Sequence, residues 1–491
     1  MARSARVSVS SVSTQSPRRR TVGRPKNLRL DVRGFGPLSS GHIELKPLTI
    51  LIGPNNSGKS YLAQLVYVLS RVLSARAESV FSVLRTPRLD GFMDLVLADQ
   101  GFATIPFSRA SKSRQQQTIA ALDEFLDDIA DGVHNAVADY FGVDSVSHLL
   151  NREMSEKDFC ISLQGGDNDA PLLGITIEGG DVTLNVPRPP LKGSRILSPR
   201  LAEQFDDSVM PRIFVERMWL DYVERYGVPE RAEYYLPASR SGILTAWPLV
   251  TSMAVSSVRR RLGPEPIEFA ALSGVAGDFL QLLIANFLSA PLLRRQSDDS
   301  MDSVLEVLEA DLLKGTVSVE RLRGERASFM YDADHLRLPI QRASSMVAEI
   351  APLDLLTRYL LRSGDLLVID EPEAHLHPSN QRLMARILVR LANAGVRVLC
   401  PTHSSTIIHQ LSNHMLASGI ERGKRHNFGF DDPDMLSTAD IAVYNFESVT
   451  DGFDIREVPV EEGFGISEDE FVAVAEQMGD ETYRIMTSVN S

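Results

Sequence analysis

Apolar and polar positions along the chain alternate in a way that predicts strands and helices in turn. The run from Leu45 to Ile52 predicts a buried strand, and a loop rich in Gly, Asn and Ser follows it. From Ser60 onward, apolar residues recur at helical spacing, at Leu62, Leu65, Val66 and Leu69. The segment is therefore predicted to be a strand, loop and helix unit.

The C-terminal part of the chain repeats this alternation. A helix is predicted to begin near Ser344, and the apolar strand in GDLLVIDEPEAHLHP follows it. The helix QRLMARILVRLANAG then leads to the strand VRVLCPTHSS, and the end adds strand-like DIAVYNF and FDIREVPV before a final helix. Helices between apolar strands are typical of a mostly parallel sheet, so the predicted fold class is α/β.

The middle of the chain gives a less uniform pattern. Residues 71–230 alternate helical and strand-like pieces, and EYYLPASRSGIL predicts a strand that ends in a turn at Pro237 to Gly242. Residues 243–313 are predicted to be mainly helical. No heptad pattern persists over three repeats, which argues against a long coiled-coil arm.

Composition and charge are those of an ordinary globular protein with one unusual end. Of 491 residues, 43% are hydrophobic and 23% charged, which excludes a collagen-like or wholly disordered chain. The net charge is −13, but residues 1–27 hold seven basic residues and no acidic one, so the rest carries −20. Such a start fits a disordered tail, which we favour, or an organellar transit peptide.

Cysteine usage and hydropathy bear on the compartment. Cys160 and Cys400 are far apart and lack metal-ligand spacing, so we expect two buried thiols in a reducing cytoplasm. The most apolar stretch, Phe279 to Leu293, is shorter than the roughly 18 residues that a membrane span needs, and it contains polar residues. We therefore predict no membrane partner.

A phosphate-binding loop is the strongest chemical signal. The motif G-x-x-x-x-G-K-[ST] is met by Gly53, Pro54, Asn55, Asn56, Ser57, Gly58, Lys59 and Ser60, after a strand and before a helix. Backbone N–H groups of such a loop and the helix dipole hold phosphate. Lys59 is predicted to reach the β- and γ-phosphates, and the Ser60 hydroxyl to bind Mg²⁺.

Two adjacent carboxylates end the apolar strand Leu366 to Ile369. Carboxyl ends of parallel strands form the ligand-binding edge of an α/β sheet. We predict that Asp370 holds Mg²⁺ and that Glu371 polarises the attacking water. Adjacent acidic residues after a strand often lie in a solvated turn and have no functional role. The presence of the phosphate loop favours a functional role here.

Three histidines and a serine receive separate interpretations. His403 ends the next strand and is predicted to be a polar sensor of the γ-phosphate rather than a structural side chain. His375 and His377 are not spaced for one helical face and lack a third ligand, so we predict no metal there. Ser344 at a helix start is first of all an N-cap.

The order of these motifs resembles that of ABC-type ATPase heads. The segments GPNNSGKS, YYLPASR, ASSMVAEIAPL, VIDEPEAHLHP and PTHSS resemble bacterial AAA-family ATPases of the OLD, RecF and SMC-like group. The resemblance implies a bilobed mixed sheet flanked by helices, with ATP and Mg²⁺ as ligands. It also implies that Ser344 starts a signature helix facing the γ-phosphate of a second subunit, so that ATP joins two heads.

The resemblance also suggests a division of the chain. The predicted parts are a basic tail over 1–27, an N-terminal ATPase lobe with an α/β insertion over 28–242, a mainly helical insertion over 243–330, a C-terminal lobe over 331–425 and a strand-helix extension over 426–491.

The resemblance also assigns further roles. It implies that EAHLHP is the D-loop and that Phe35 or its neighbours flank the adenine. Met346 replaces the Gly common in relatives and puts a close phosphate approach in doubt. We predict no Toprim nuclease, because Asp432 and Asp434 lie in a turn-like loop.

Two functions remain open on the sequence, with a third less favoured. The first is an ATP-hydrolysing head that dimerises and switches an effector, in DNA maintenance or anti-phage defence. The second is a non-hydrolysing ATP-dependent scaffold, and the third a kinase or transferase on the same loop. Nucleic acid is a further open partner, since Arg clusters at 259–261, 294–295 and 321, 323 and 326 form either a groove or scattered solvated side chains.

Overall fold

The computed structural model describes most of the chain. The described residues are 27–74, 104–165, 171–178, 181–189, 195–197, 232–247, 274–288, 299–322, 326–467, 478–482 and 484–486, with single positions between 191 and 249. The basic tail and the arginines at 259–261, 294, 295 and 323 lie outside them. Arg321 and Arg326 are described in the backbone only.

Eight α-helices are assigned bounds in the described part of the chain. They are α1 Lys59–Leu73, α2 Lys112–Phe141, α3 Arg240–Thr245, α4 Gly274–Leu283, α5 Asp299–Glu306, α6 Ser345–Tyr359, α7 Pro378–Asn393 and α8 Ser405–Ser418. Helices α4 and α5 run on into π-helical turns, at Ile284–Leu288 and Val307–Leu313.

The described strands form one large sheet and smaller ones. They are β1 Leu28–Phe35, β2 Leu38–Leu45, β3 Leu48–Ile52, β4 Thr104–Pro106, β5 Cys160–Gly165, β6 Leu173–Glu178, β7 Asp181–Asn185, β8 Arg195–Leu197, β9 Glu233–Leu236, β10 Thr316–Leu322, β11 Arg326–Ala333, β12 Leu336–Pro339, β13 Leu366–Ile369, β14 Arg397–Pro401, β15 Ile441–Val449, β16 Gly452–Glu457, β17 Val460–Glu461 and β18 Gly465–Ile466. The large sheet has 11 strands in the order β7-β6-β5-β1-β2-β16-β15-β3-β14-β13-β9.

This sheet has two halves of different character. On one side β15, β3, β14, β13 and β9 pair in parallel, and on the other β1, β2, β5, β6 and β7 pair antiparallel. The parallel strands β3 and β13 are buried at every position, as expected where helices cover both faces. The bilobed α/β fold predicted from the sequence is thus confirmed.

Two apolar cores lie on opposite faces of the sheet. Alternate residues of β13 divide between them: Leu367 and Ile369 join the core of α6, α7 and α8, while Leu366 and Val368 join that of α1 and α2. This division follows from the two-residue repeat of a strand. Helix α6 is buried on most of its surface, and the residues that it buries include Glu349 and Asp354 as well as apolar side chains.

Several expectations need correction. The single strand predicted from Leu45 to Ile52 is the end of β2 and all of β3, because Pro47 cannot donate to a strand ladder. The segment 316–330, predicted as helical, contributes β10 and β11, which pair antiparallel. The turn expected at Pro237 to Gly242 is present at Ala238 and Ser239 but is shorter than predicted, because helix α3 begins at Arg240.

Two further expectations concern burial and position. Cys400 is buried, but Cys160 is only half-buried, since it begins β5. The segment 426–491, expected as an extension, supplies β15, which pairs with β3 inside the large sheet. In the described part of the chain, no helix is long and apolar enough to cross a membrane.

Candidate nucleotide-binding site

The phosphate loop joins β3 directly to α1. Its two glycines are left-handed, with φ of 133° at Gly53 and 100° at Gly58, and Asn56 adopts 61°. A Cβ at Gly58 would lie 2.8 Å from side-chain atoms of Pro37 and of Leu38. The loop therefore requires glycine there both for its backbone conformation and for space.

Polar groups of this loop point inward. Lys59 is only 4% exposed, and its Nζ donates to the carbonyls of Gly53 and Pro54 at 2.9 and 2.6 Å. The backbone N–H groups of Asn55, Asn56, Gly58 and Ser60 find no acceptor within the described part of the chain. Such a ring of unpaired donors around a buried ammonium fits a bound polyphosphate.

Asp370 meets the loop at the end of β13. Its Oδ1 accepts from the Ser60 hydroxyl at 2.9 Å, and its Oδ2 accepts from the Tyr235 hydroxyl at 3.1 Å. Burial raises the pKa of Asp370, while these two hydrogen bonds lower it. A serine hydroxyl beside a carboxylate offers the oxygen ligands that Mg²⁺ prefers, so the two residues fit this ion.

Glu371 lies at the mouth of the same site. It has a left-handed backbone, with φ of 48°, and its N–H donates to the Pro401 carbonyl at 3.0 Å. A left-handed conformation is costly for a residue with a Cβ, and such strain is concentrated at functional sites. Its side chain lines the cavity above the phosphate loop.

His403 ends the neighbouring strand, as expected, and joins this cavity. Strands β13 and β14 pair in parallel, which brings His403 to the edge that carries Glu371. Burial, and then the charge of Lys59, lower the pKa of His403, so the ring is neutral at physiological pH.

The cavity has the size of a nucleotide site. Its volume is about 910 Å³, within the range typical of ligand pockets. It is lined by residues 55–61, by Gly36 and Pro37, by residues 148–153, and by Glu371 and His403. The predicted loop residues, Glu371 and His403 therefore come together, with Asp370 bonded behind them.

Some predicted residues lie elsewhere. Phe35 is fully buried against Tyr61 and Phe141, so it cannot flank an adenine, although its neighbours Gly36 and Pro37 line the cavity. Ser344 is exposed at the N-cap of α6, where its hydroxyl accepts from the Val347 N–H at 3.3 Å, and it is not among the cavity's described lining residues.

His375 and His377 lie outside the residues that line the cavity. His377 is the N-cap of α7, and its Nδ1 accepts from the Ser379 N–H. His375 is exposed and has a φ of 58°. Among the described residues, no group of three or more His, Cys, Asp or Glu is arranged to hold a metal.

Sequence reasoning missed three residues that shape the site. Tyr235 bonds Asp370, Arg240 bonds the carbonyls of both acidic residues, and Glu373 accepts from Thr402 and His403. Tyr235 and Glu373 lie at or just after the ends of β9 and β13, on the sheet edge that carries the phosphate loop, and that position could have indicated them. Nothing in the sequence indicated the contacts of Arg240.

The sequence was compared with models of known protein families. Residues 291–408 match the family model described as the AAA ATPase domain. Within this segment the chain is similar to the AAA ATPase domain. The match covers the segment of Ser344, both acidic residues and His403, while the phosphate loop, N-terminal to it, meets its own motif. No curated protein matches the sequence.

Among solved structures, similar folds are found in SMC head domains. One is the SMC head domain from Thermotoga maritima, one is an SMC head bound to the C-winged helix domain of ScpA, and one is an SMC head with an extended coiled coil bound to the C-terminal domain of ScpA, from Pyrococcus furiosus. Each is 10% identical, with TM-scores of 0.35, 0.38 and 0.35. They cover 89, 89 and 92% of this chain and 100, 98 and 98% of their own. Such low scores add nothing to the assignment.

Proposed function

We propose that this protein binds Mg²⁺-ATP in the cavity, hydrolyses it, and uses the nucleotide to join two heads and switch an effector. The observation that carries the proposal is the convergence of the phosphate loop, the Ser60–Asp370 hydrogen bond, Glu371 and His403 at one edge of the sheet. Glu371 and His403 line the cavity above the phosphate loop, where a carboxylate can polarise a water beside the γ-phosphate, so we favour hydrolysis over phosphoryl transfer to another acceptor.

Each residue has a role in this chemistry. The unpaired loop N–H groups and Lys59 hold the phosphates, for which Lys59 exchanges its contacts with the loop carbonyls. Ser60 and Asp370 would hold Mg²⁺, which supplies positive charge against the phosphate oxygens when bound. The neutral His403 donates a hydrogen bond to the γ-phosphate without adding charge.

Glu371 acts on the attacking water. Its carboxylate accepts a proton from the water as the water oxygen bonds to the γ-phosphorus. The bond between that phosphorus and the bridging oxygen breaks, ADP leaves with the electron pair, and phosphate is released. Loss of the Glu371 carboxylate removes the base but none of the contacts that hold ATP.

Dimerisation is proposed to involve the start of α6. The N–H groups of Ser345 and Met346 have no acceptor in the described part of the chain, and Ser344 and Ser345 are exposed. A helix N-terminus of this kind binds anions, so it would receive the γ-phosphate of a second copy. ATP then stabilises the dimer by mass action.

The alternative of a non-hydrolysing scaffold rested on Met346. Its side chain packs on the core of α6 to α8, and its Sδ lies 3.0 Å from Nδ2 of Asn380. The N–H of Met346 has no acceptor in the described part of the chain, so the side chain does not take up this donor. Met346 thus gives the scaffold no specific support, and we keep hydrolysis as the proposal.

The biological setting is proposed from the resemblance to OLD, RecF and SMC-like ATPases. It consists of an effector protein switched in the cytoplasm, in anti-phage defence or DNA maintenance. A nucleic-acid groove would need the arginine clusters to converge, and binding that fell with added salt and with their neutralisation would support it.

The decisive experiment compares Glu371→Gln and Lys59→Ala with the exposed control Glu447→Gln. We expect ATP hydrolysis to be abolished in the first two and unchanged in the control. Glu371→Gln should elute from gel filtration as a dimer with ATP and as a monomer without it, whereas Lys59→Ala should stay monomeric. Hydrolysis that persisted in both variants would refute the proposal. Bound ATP left intact by the wild-type dimer in a single-turnover assay would favour the scaffold.

A further inference from the structure

Arg240 lies behind the catalytic acids, at the start of α3. It is only 2% exposed, although it carries a charge that burial disfavours. Its Nη1 donates to the Asp370 carbonyl at 2.7 Å, and its Nη2 to the Glu371 carbonyl at 3.2 Å. One guanidinium therefore holds the backbone of both acidic residues.

The same guanidinium also contacts α6. Its Nε donates to the Glu349 carbonyl at 3.2 Å, and its Nη2 lies 2.7 Å from Oε1 of Glu349. Glu349 is fully buried, in the second turn of the helix that Ser344 caps. Arg240 thus joins the helix to the turn that carries Glu371.

The geometry of the two contacts differs. The carbonyl bonds use the fixed fork of the guanidinium, and they hold Glu371 in its left-handed conformation. By contrast, neither side-chain oxygen of Glu349 accepts a well-aligned hydrogen bond in the described part of the chain. A shift of α6 would act on Arg240 through the Nε–Glu349 carbonyl bond and the ion pair, and the fork would carry it to the carbonyls of Asp370 and Glu371.

We propose that Arg240 is a positioning residue that couples the start of α6 to the water-polarising Glu371. When α6 binds the γ-phosphate of a second copy, its displacement moves Arg240 and sets the Glu371 carboxylate for attack. Hydrolysis at each site then depends on occupation of the dimer interface. This inference rests on the proposed function, and it adds the route by which dimerisation controls turnover.

The test uses Arg240→Lys, Glu349→Gln and a matched control, Arg358→Lys. Arg358 also lies on α6, but in the described part of the chain it pairs with Glu309 and Asp354 rather than with Asp370 or Glu371. Three quantities are measured: kcat for ATP, affinity for the fluorescent analogue mant-ATP, and the rise of specific activity with protein concentration as dimers form.

We expect Arg240→Lys to lower kcat at least tenfold while mant-ATP affinity stays within threefold. Lysine keeps the charge but not the fork that reaches both carbonyls. Glu349→Gln should bind mant-ATP and dimerise normally, yet lose the rise in specific activity on dimerisation. A residue that served only to fill the core would change the melting temperature without separating kcat from binding. Arg358→Lys should behave as wild type.

Wild-type kcat in folded Arg240→Lys would overturn the inference. If that variant does not fold, Glu349→Gln decides, and activation on dimerisation at the wild-type level would overturn it. Hydrolysis that persisted in Glu371→Gln would instead refute the proposed function. If Glu371→Gln is inactive while Arg240→Lys and Glu349→Gln behave as wild type, the coupling through Arg240 is refuted and the proposed function stands.

Discussion

Glu373 provides the sharpest test of how the site is held together. Its Oε2 accepts from the Thr402 hydroxyl at 2.8 Å, and its Oε1 from the N–H of His403 at 2.5 Å. The fully buried Thr402 also accepts from the Ser404 N–H, at 3.1 Å. Glu373 thus ties the turn after β13 to the end of β14. Glu373→Ala removes both bonds at once.

The cost of this change follows from the contacts. Two hydrogen bonds to a carboxylate contribute about 1.5–3 kcal/mol each. Burial raises the pKa of Glu373 and so offsets part of this. We expect the free energy of unfolding to fall by about 2–4 kcal/mol. A raised folded pKa stabilises the protein more at low pH, so the gap between wild type and variant should widen as pH falls towards the ordinary value of 4.5.

The assay is urea unfolding of wild type and Glu373→Ala in parallel, with ATP hydrolysis measured on the same samples. Loss of the His403 N–H bond should also lower kcat, because the ring is no longer held over the phosphate loop. The control is Glu447→Ala, an exposed pair with Arg456, which should change stability by less than about 0.5 kcal/mol. A loss from Glu373→Ala as small as that of the control would refute the reasoning.

Two further predictions concern the loop and a buried histidine. Gly58→Ala places a Cβ at a φ of 100° and 2.8 Å from Pro37 and Leu38. We expect backbone strain of about 1–3 kcal/mol and an affinity for mant-ATP that is weaker by about tenfold or more. Unchanged affinity for mant-ATP would contradict this geometry. Burial lowers the pKa of His414 from 6.5 to about 4, so stability should fall as pH drops from 6.5 to 4, by about 3 kcal/mol for this group. The urea midpoint of wild type should fall as pH drops over this range, and this dependence on pH should be lost in His414→Asn. The same dependence in both proteins would contradict the assignment to His414.

Local sequence was sufficient where the chemistry is contiguous. The phosphate loop depends on glycines and a lysine at fixed spacing, and the strand before Asp370 on an uninterrupted apolar run. Each of these motifs is formed by residues that are neighbours in the sequence. They could be predicted together with the parallel pairing that brings His403 to the same edge.

Pairings over long separations were not predictable in this way. The contacts of Arg240 with Glu349 and Asp370 span more than 100 residues, and no local pattern distinguishes this arginine from a solvated one. The burial of Phe35 and the strands β10 and β11 were misjudged for a related reason. Whether a short apolar segment is strand or helix, exposed or covered, depends on what packs against it.

The sequence by itself was sufficient to predict the kind of chemistry: a loop for phosphate, a serine and an aspartate for Mg²⁺, and a glutamate for water, each inferred from residue type and local pattern. Only the tertiary structure decided how these groups are held. The backbone of Glu371 depends on Arg240, and that of His403 on Glu373. The physical reason is that buried charges require partners, and the partners come from elements that meet only when the sheet and its helices pack.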